Sequence, residues 1–123
     1  MPRFLADPRD TAAPDGAIVL LQRLFHGDLL SPTSTARIIA MMEATETGAA
    51  RIKGLLPAGA IVAHKTGTTG VVRGLNGSTN DIGVITLPGG GGRIALAVFL
   101  KGSTRNLRAR ELTIARVAQA VCL

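Results

Sequence analysis

The six residues His64-Lys65-Thr66-Gly67-Thr68-Thr69 follow directly on the apolar run Ala60-Ile61-Val62-Ala63. A cation, a hydroxyl and a glycine therefore come in a row at the end of a strand. Lysine supplies a point charge on a flexible stem, the threonine hydroxyl adds direction, and glycine lets another molecule come close to the backbone. Lys65, Thr66 and Gly67 suit the grip of one small anionic group, such as a substrate carboxylate. The N–H of Thr68, two residues on, is spaced to donate to an oxyanion that develops during acyl transfer from a serine. Donors of that kind lower a barrier by about 3 to 4 kcal/mol. Lys-Thr-Gly also arises by chance in many chains, and the competing reading is a polar strand end entering a turn.

The elements that must position this strand follow from punctuation and period. Pro14 suits a first helical position, and Ile18, Leu21, Leu24 and Phe25 recur at helical spacing until Gly27. Ser31 before Pro32 reads as the cap of a second helix, carried by Ala36, Ile38, Ile39 and Met42 and stopping near Thr47-Gly48. A short helix is expected over 49–55, and Pro57-Ala58-Gly59 turns the chain into the motif strand. From 60 to 100 the pattern predicts a three-stranded antiparallel meander, with further strands at Asn80–Ile85 and Ile94–Leu100, a loop over 70–79, and Gly89-Gly90-Gly91-Gly92 as a hairpin turn. A last helix begins near Thr104 to Asn106, with Leu107, Ile114 and Val121 along one face and Val117 and Ala118 beside them. The fold class expected is α/β of the α+β kind, a single domain over 1–123 with helices about 14–56, a sheet about 60–100 and a final helix about 105–121.

The order Arg9-Asp10-Thr11, Leu29-Leu30-Ser31-Pro32, Met42-Glu43, Leu56-Pro57-Ala58-Gly59, Lys65-Thr66-Gly67, Asn80-Asp81-Ile82-Gly83 and a closing helix resembles the C-terminal portion of class A serine beta-lactamases, from Asp7 onward. The resemblance implies part of a beta-lactamase/transpeptidase-like fold and hydrolysis of a beta-lactam amide through an acyl-enzyme, with no cofactor. It casts Lys65 and Thr68 as catalytic, and Lys65, Thr66, Gly67, Thr68 and Thr69 as substrate-binding, with Arg108 or Arg110 supplementing the grip on the carboxylate. The Asn80-Asp81 pair is expected to support the strand and its loops.

The family's other motifs are absent. The residues three after Ser31, Ser34, Ser78 and Ser103 are Ser34, Arg37, Asp81 and Asn106, so Ser-x-x-Lys does not occur. Ser78-Thr79-Asn80 follows the Lys-Thr-Gly motif instead of preceding it, and Met1 to Ala6 holds no carboxylate to serve as a deacylating glutamate. The expectation is a C-terminal fragment, inactive alone, whose partner is the missing N-terminal portion of the same fold. Its third strand would then lack a neighbour. A fragment of a penicillin-binding D,D-peptidase and a non-enzymatic truncated product are the alternatives.

Composition narrows the rest. At 123 residues and 46% hydrophobic content the chain can bury a core. The net charge of +6 lies in the half from Lys65 to Leu123, whose only acids are Asp81 and Glu111. That field favours small anions such as beta-lactams. Three Phe with no Trp or Tyr leave no stacking platform for single-stranded nucleic acid, so none is expected as a partner. No apolar run is of membrane-spanning length, and Met1–Ala6 is too short for a signal peptide. Periplasmic or secreted placement is implied only for complete family members. Gly59 before Lys65-Thr66 nearly matches a phosphate-binding loop but has His64 where glycine is needed. His26 and His64 have no partner at metal-ligand spacing, and no metal is expected. His26 reads as a helix end, and His64, alternating with Lys65, faces away from the substrate. Cys122 reads as a half-buried helix thiol.

Overall fold

The computed structural model describes residues 1–9 and 11–123. Asp10, in the Arg9-Asp10-Thr11 run, lies outside the described residues. A short helix α1 (Pro2–Ala6) comes first. Arg9 then grips Asp7 at 2.5 Å, which holds that carboxyl below its usual value. Helix α2 (Pro14–His26) has proline at its start, and Gly27 ends it in the left-handed conformation at φ 80°. Helix α3 (Pro32–Glu43) is capped by Ser31, whose hydroxyl accepts from the Ser34 N–H at 3.2 Å.

Helix α3 ends four residues before the expected stop at Thr47-Gly48, and the reason is local competition. Thr45 donates its hydroxyl to the His64 carbonyl at 2.9 Å, and the hydroxyls of Thr47 and Thr66 meet at 2.7 Å. These bonds dock the segment after α3 against the motif strand, which a continued helix would forbid. The helix expected over 49–55 contracts to one 3₁₀ turn, Ile52–Leu55.

The sheet is antiparallel, with strands β1 (Ile61–Thr68), β2 (Val71–Val72), β3 (Leu75–Thr86) and β4 (Arg93–Ser103). Strand β3 is central, flanked by β1 with the short β2 on one side and β4 on the other. The three long strands lie as expected, but the segment 70–79 is a hairpin instead of a loop. Val72 pairs with Leu75 across Arg73-Gly74, both at positive φ (51° and 77°), the geometry of a two-residue I′ turn. Arginine stands where Asn or Asp usually announces that turn. The Pro88–Gly90 turn and the bond from Leu87 N–H to the Gly92 carbonyl at 2.9 Å join β3 to β4, as the glycine run requires.

Helices cover both faces of the sheet. Val62 and Ile85, paired across β1 and β3, pack with Ile52, Ile114 and Ala118 in one core under helix α4 (Leu107–Val121). Their neighbours Ala63 and Val84 point the other way, toward α2 and α3, where Ala17, Leu21 and Leu24 are buried. Arg93 closes that side with its guanidinium 5.5 Å from the Phe25 ring centre. Among the described residues β4 pairs only with β3, and its apolar residues are half-buried along most of its length. No helix among them is long and apolar enough to cross a membrane.

Helix α4 starts where Asn106 caps the Ala109 N–H at 2.9 Å. Its buried line is not the expected Leu107–Ile114–Val121. Leu107 and Val121 are 46% and 45% exposed, and Arg110, Ile114, Ala115 and Ala118 face inward. Residues three and four apart share a helix face, so Arg110, Ile114 and Ala118 with Ala115 form the row turned inward. Half-buried Cys122 ends the helix, and burial pushes its thiol pKa up. Ile114→Ala is expected to cost about 3 kcal/mol in urea unfolding, against no more than about 0.5 for Leu107→Ala.

Candidate functional site

Strand β1 is an edge. Thr69 N–H donates to the Ser78 carbonyl at 3.0 Å, continuing the β1–β3 register, so the odd-numbered residues of β1 exchange ladder bonds with β3. Antiparallel alternation then turns the N–H and C=O groups of His64, Thr66 and Thr68 outward. The outward His64 carbonyl is taken by Thr45. The Thr66 carbonyl accepts from Lys65 Nζ at 2.6 Å, which hooks the ammonium over the open edge. The N–H groups of Thr66 and Thr68 have no backbone partner outside the ladder among the described residues.

Side chains alternate across the same strand. His64 is fully buried, and Lys65 is exposed. Thr66 is half-buried and tied to Thr47. Gly67 is exposed, and a Cβ there would meet only Asn80 Nδ2 at 4.0 Å. Thr68 is exposed, while Thr69 turns inward, where its hydroxyl accepts from the Ser78 N–H at 2.9 Å.

Beneath the motif, Asp81 is the hub. Both its oxygens lie 2.9 Å from His64 Nδ1, and Oδ2 also accepts the Ile52 N–H at 3.2 Å. All three groups are buried. The other ring nitrogen of His64, Nε2, is buried without a hydrogen-bond partner among the described residues.

Arg51 completes the arrangement and was not singled out from the sequence. It is 5% exposed, beside the 3₁₀ turn, and all its side-chain bonds go to distant residues. Nε donates to Glu111 at 3.0 Å, one terminal nitrogen bridges the carbonyls of Gly67 (3.2 Å) and Asn80 (2.8 Å), and the other donates to Thr68 Oγ1 at 2.6 Å. No local spacing signals this, because the partners lie 16 to 60 residues away. The two arginines picked from the sequence sit elsewhere. Arg108 is exposed in a groove between α4 and the 3₁₀ turn. Arg110 is buried, donating to the Arg105 carbonyl at 3.2 Å and to Thr79 Oγ1. Among the described residues no group of three or more His, Cys, Asp or Glu is placed to hold a metal.

Lys65, Thr66 and Gly67 thus lie along the open outer edge of β1, on a sheet that α4 packs against. A family profile described as the beta-lactamase enzyme family matches residues 1–122. The chain is 47% identical over 104 residues to the extended-spectrum beta-lactamase PER-1 of Pseudomonas aeruginosa, covering 85% of this chain and 33% of that one. It is 33% identical over 113 residues to the carbapenem-hydrolyzing beta-lactamase KPC of Klebsiella oxytoca, covering 92% and 37%. The crystal structure of the TLA-1 extended-spectrum beta-lactamase superimposes with a TM-score of 0.86 at 39% identity, over 89% of this chain and 40% of that one. The chain therefore belongs to the class A beta-lactamase family. It spans about a third of the length of the curated relatives it matches.

Asp81→Ala strands two buried donors and is expected to cost about 3 kcal/mol in urea unfolding. His64→Asn, which keeps a donor near the Nδ1 position, should cost about half as much.

Proposed function

We propose that this chain carries the carboxylate clamp and one oxyanion donor of a beta-lactam-hydrolysing site, with the nucleophilic serine and the deacylating base supplied by sequence outside these 123 residues. In that reaction the serine oxygen bonds to the lactam carbonyl carbon, the ring C–N bond breaks and the nitrogen takes a proton. Water then cleaves the ester and restores the serine.

The Lys65 ammonium and the Thr66 hydroxyl hold the substrate carboxylate, and exposed Gly67 lets the substrate lie along the edge. The outward Thr68 N–H donates to the carbonyl oxygen as negative charge develops on it. The supporting observation is that the Lys65 ammonium and the outward side of Thr68 share one open edge of β1. Arg51, through its bond to Thr68 Oγ1, suits the role of supplementary arginine better than Arg108 or Arg110, because its guanidinium already touches the clamp. Thr69 borders the site and shapes its rim.

Hydrolysis of a chromogenic cephalosporin tests this reading. The purified chain alone should show no turnover, and co-production with a Ser-x-x-Lys-bearing segment of a class A relative should restore it. Lys65→Ala should then lower kcat/KM by about two orders of magnitude. Turnover by the chain alone would place the nucleophile within these residues. No turnover with any complementing segment would favour a non-catalytic product.

A further inference from the structure

A second buried network reaches the same strand end from the opposite direction, and it uses the arginine that the clamp leaves aside. Arg110 (5% exposed), Thr79 (0%) and Asn76 (1%) form a continuous line of side chains. Arg110 donates to Thr79 Oγ1. Thr79 donates its own proton to Asn76 Oδ1 at 2.7 Å. Asn76 Nδ2 then donates to the carbonyls of Thr69 (2.8 Å) and Gly70 (3.3 Å).

Every bond in this line has one possible direction. A guanidinium can only donate, so the Thr79 oxygen accepts and its single proton must go onward. Asn76 must then present its carbonyl oxygen to Thr79 and its amide nitrogen to the strand end, and no flipped amide satisfies both neighbours. The polarity of Arg110 is thereby transmitted across the sheet to two backbone carbonyls at the point where β1 turns into the hairpin. Burial strengthens such a line and makes a broken link costly.

Arg110 has a further peculiarity. It is buried in the first turns of α4, the positive end of that helix, and no carboxylate lies within ion-pair distance of it among the described residues. A cation placed there solely to stabilise α4 would sit in the wrong place. Glu111, the adjacent acid, is turned to Arg51 instead.

The geometry points to Arg110 as a positioning residue that acts through Thr79 and Asn76 to fix the Thr69-Gly70 corner, and so sets the rim beside the Lys65–Thr68 edge. This rests on the reading of that edge as a beta-lactam site. On that reading, changes at Arg110 or Thr79 alter which substrate side chains fit beside Thr69, without touching the substrate.

The test uses the 123-residue chain with Thr79→Val, which keeps shape and removes the hydroxyl, and Thr79→Ser, which returns it. In ¹H–¹⁵N spectra, T79V should shift the Thr69 and Gly70 amides and the Asn76 side-chain amide. It should speed hydrogen exchange at Thr69 about tenfold, leaving Ile114 and Ala118 within about twofold. T79S should restore the parent values. Unchanged Thr69 and Gly70 signals in T79V, or an effect spread evenly through α4 and β4, would overturn the proposal. A titration with benzylpenicillin separates the two readings. If Thr69 responds to T79V while benzylpenicillin shifts no residue of β1, the relay stands and the beta-lactam reading fails. If benzylpenicillin shifts Lys65 and Thr68 identically in the parent chain and T79V, the relay has no bearing on the site and the proposal falls.

Discussion

One buried carboxylate holds the motif strand to everything beneath it. Asp81 on β3 accepts from His64 on β1 and from the backbone of the 3₁₀ turn, so strand, neighbouring strand and turn share a single acceptor. Because His64 is drawn inward, the alternation of the strand throws Lys65 outward. Because the Ile52 N–H is drawn to the same carboxylate, the preceding Arg51 is held where its guanidinium reaches Gly67, Asn80 and Thr68. Removing that acceptor leaves two donors buried without partners, which is why so much geometry depends on one side chain.

The two sides of the sheet differ in how their edges are treated. On the β1 side, Thr45 takes the outward His64 carbonyl and Thr47 the Thr66 hydroxyl, leaving the Thr66 and Thr68 N–H groups without a backbone partner outside the ladder among the described residues. That is selective cover, and an edge left open at one place is an edge available to a ligand. On the β4 side no strand is added among the described residues, and Ile94, Leu96, Val98 and Leu100 are only half-buried against α4. Polar side chains from three elements meet at the end of β1: Thr47 after α3, Arg51 beside the 3₁₀ turn, and Asn76 at the end of a line that starts on α4. The strand end is thus held from several directions.

Much of this was legible in the residues. Proline and glycine punctuation marked α2 and the start of α3, the Asn106 cap lies at the expected start of α4, and the alternation through His64-Lys65-Thr66 implied one buried and one open face. The hairpin at Val71–Leu75 was hidden because Arg73 adopts a positive φ that Asn or Asp usually signals. The buried row of α4 was misread because Arg110 takes a core position that an apolar pattern excludes, while Leu107 and Val121 are exposed. Arg51 and the Asn76–Thr79–Arg110 line could not be found by spacing, since each is a polar contact between distant segments. Burial of arginine is a property of the assembled layers and not of its neighbours in sequence.

The most direct measurement is residue-resolved hydrogen exchange along β1 in the 123-residue chain. Lys65, Gly67 and Thr69 donate into the β3 ladder, and their amides should exchange about two orders of magnitude more slowly than those of Thr66 and Thr68. Such an alternating pattern would establish an open edge with its donors pointing away from the sheet. Protection of Thr68 equal to that of Gly67 would mean a covered edge or a shifted register, and the Lys-Thr-Gly strand would then have no donor to offer a substrate.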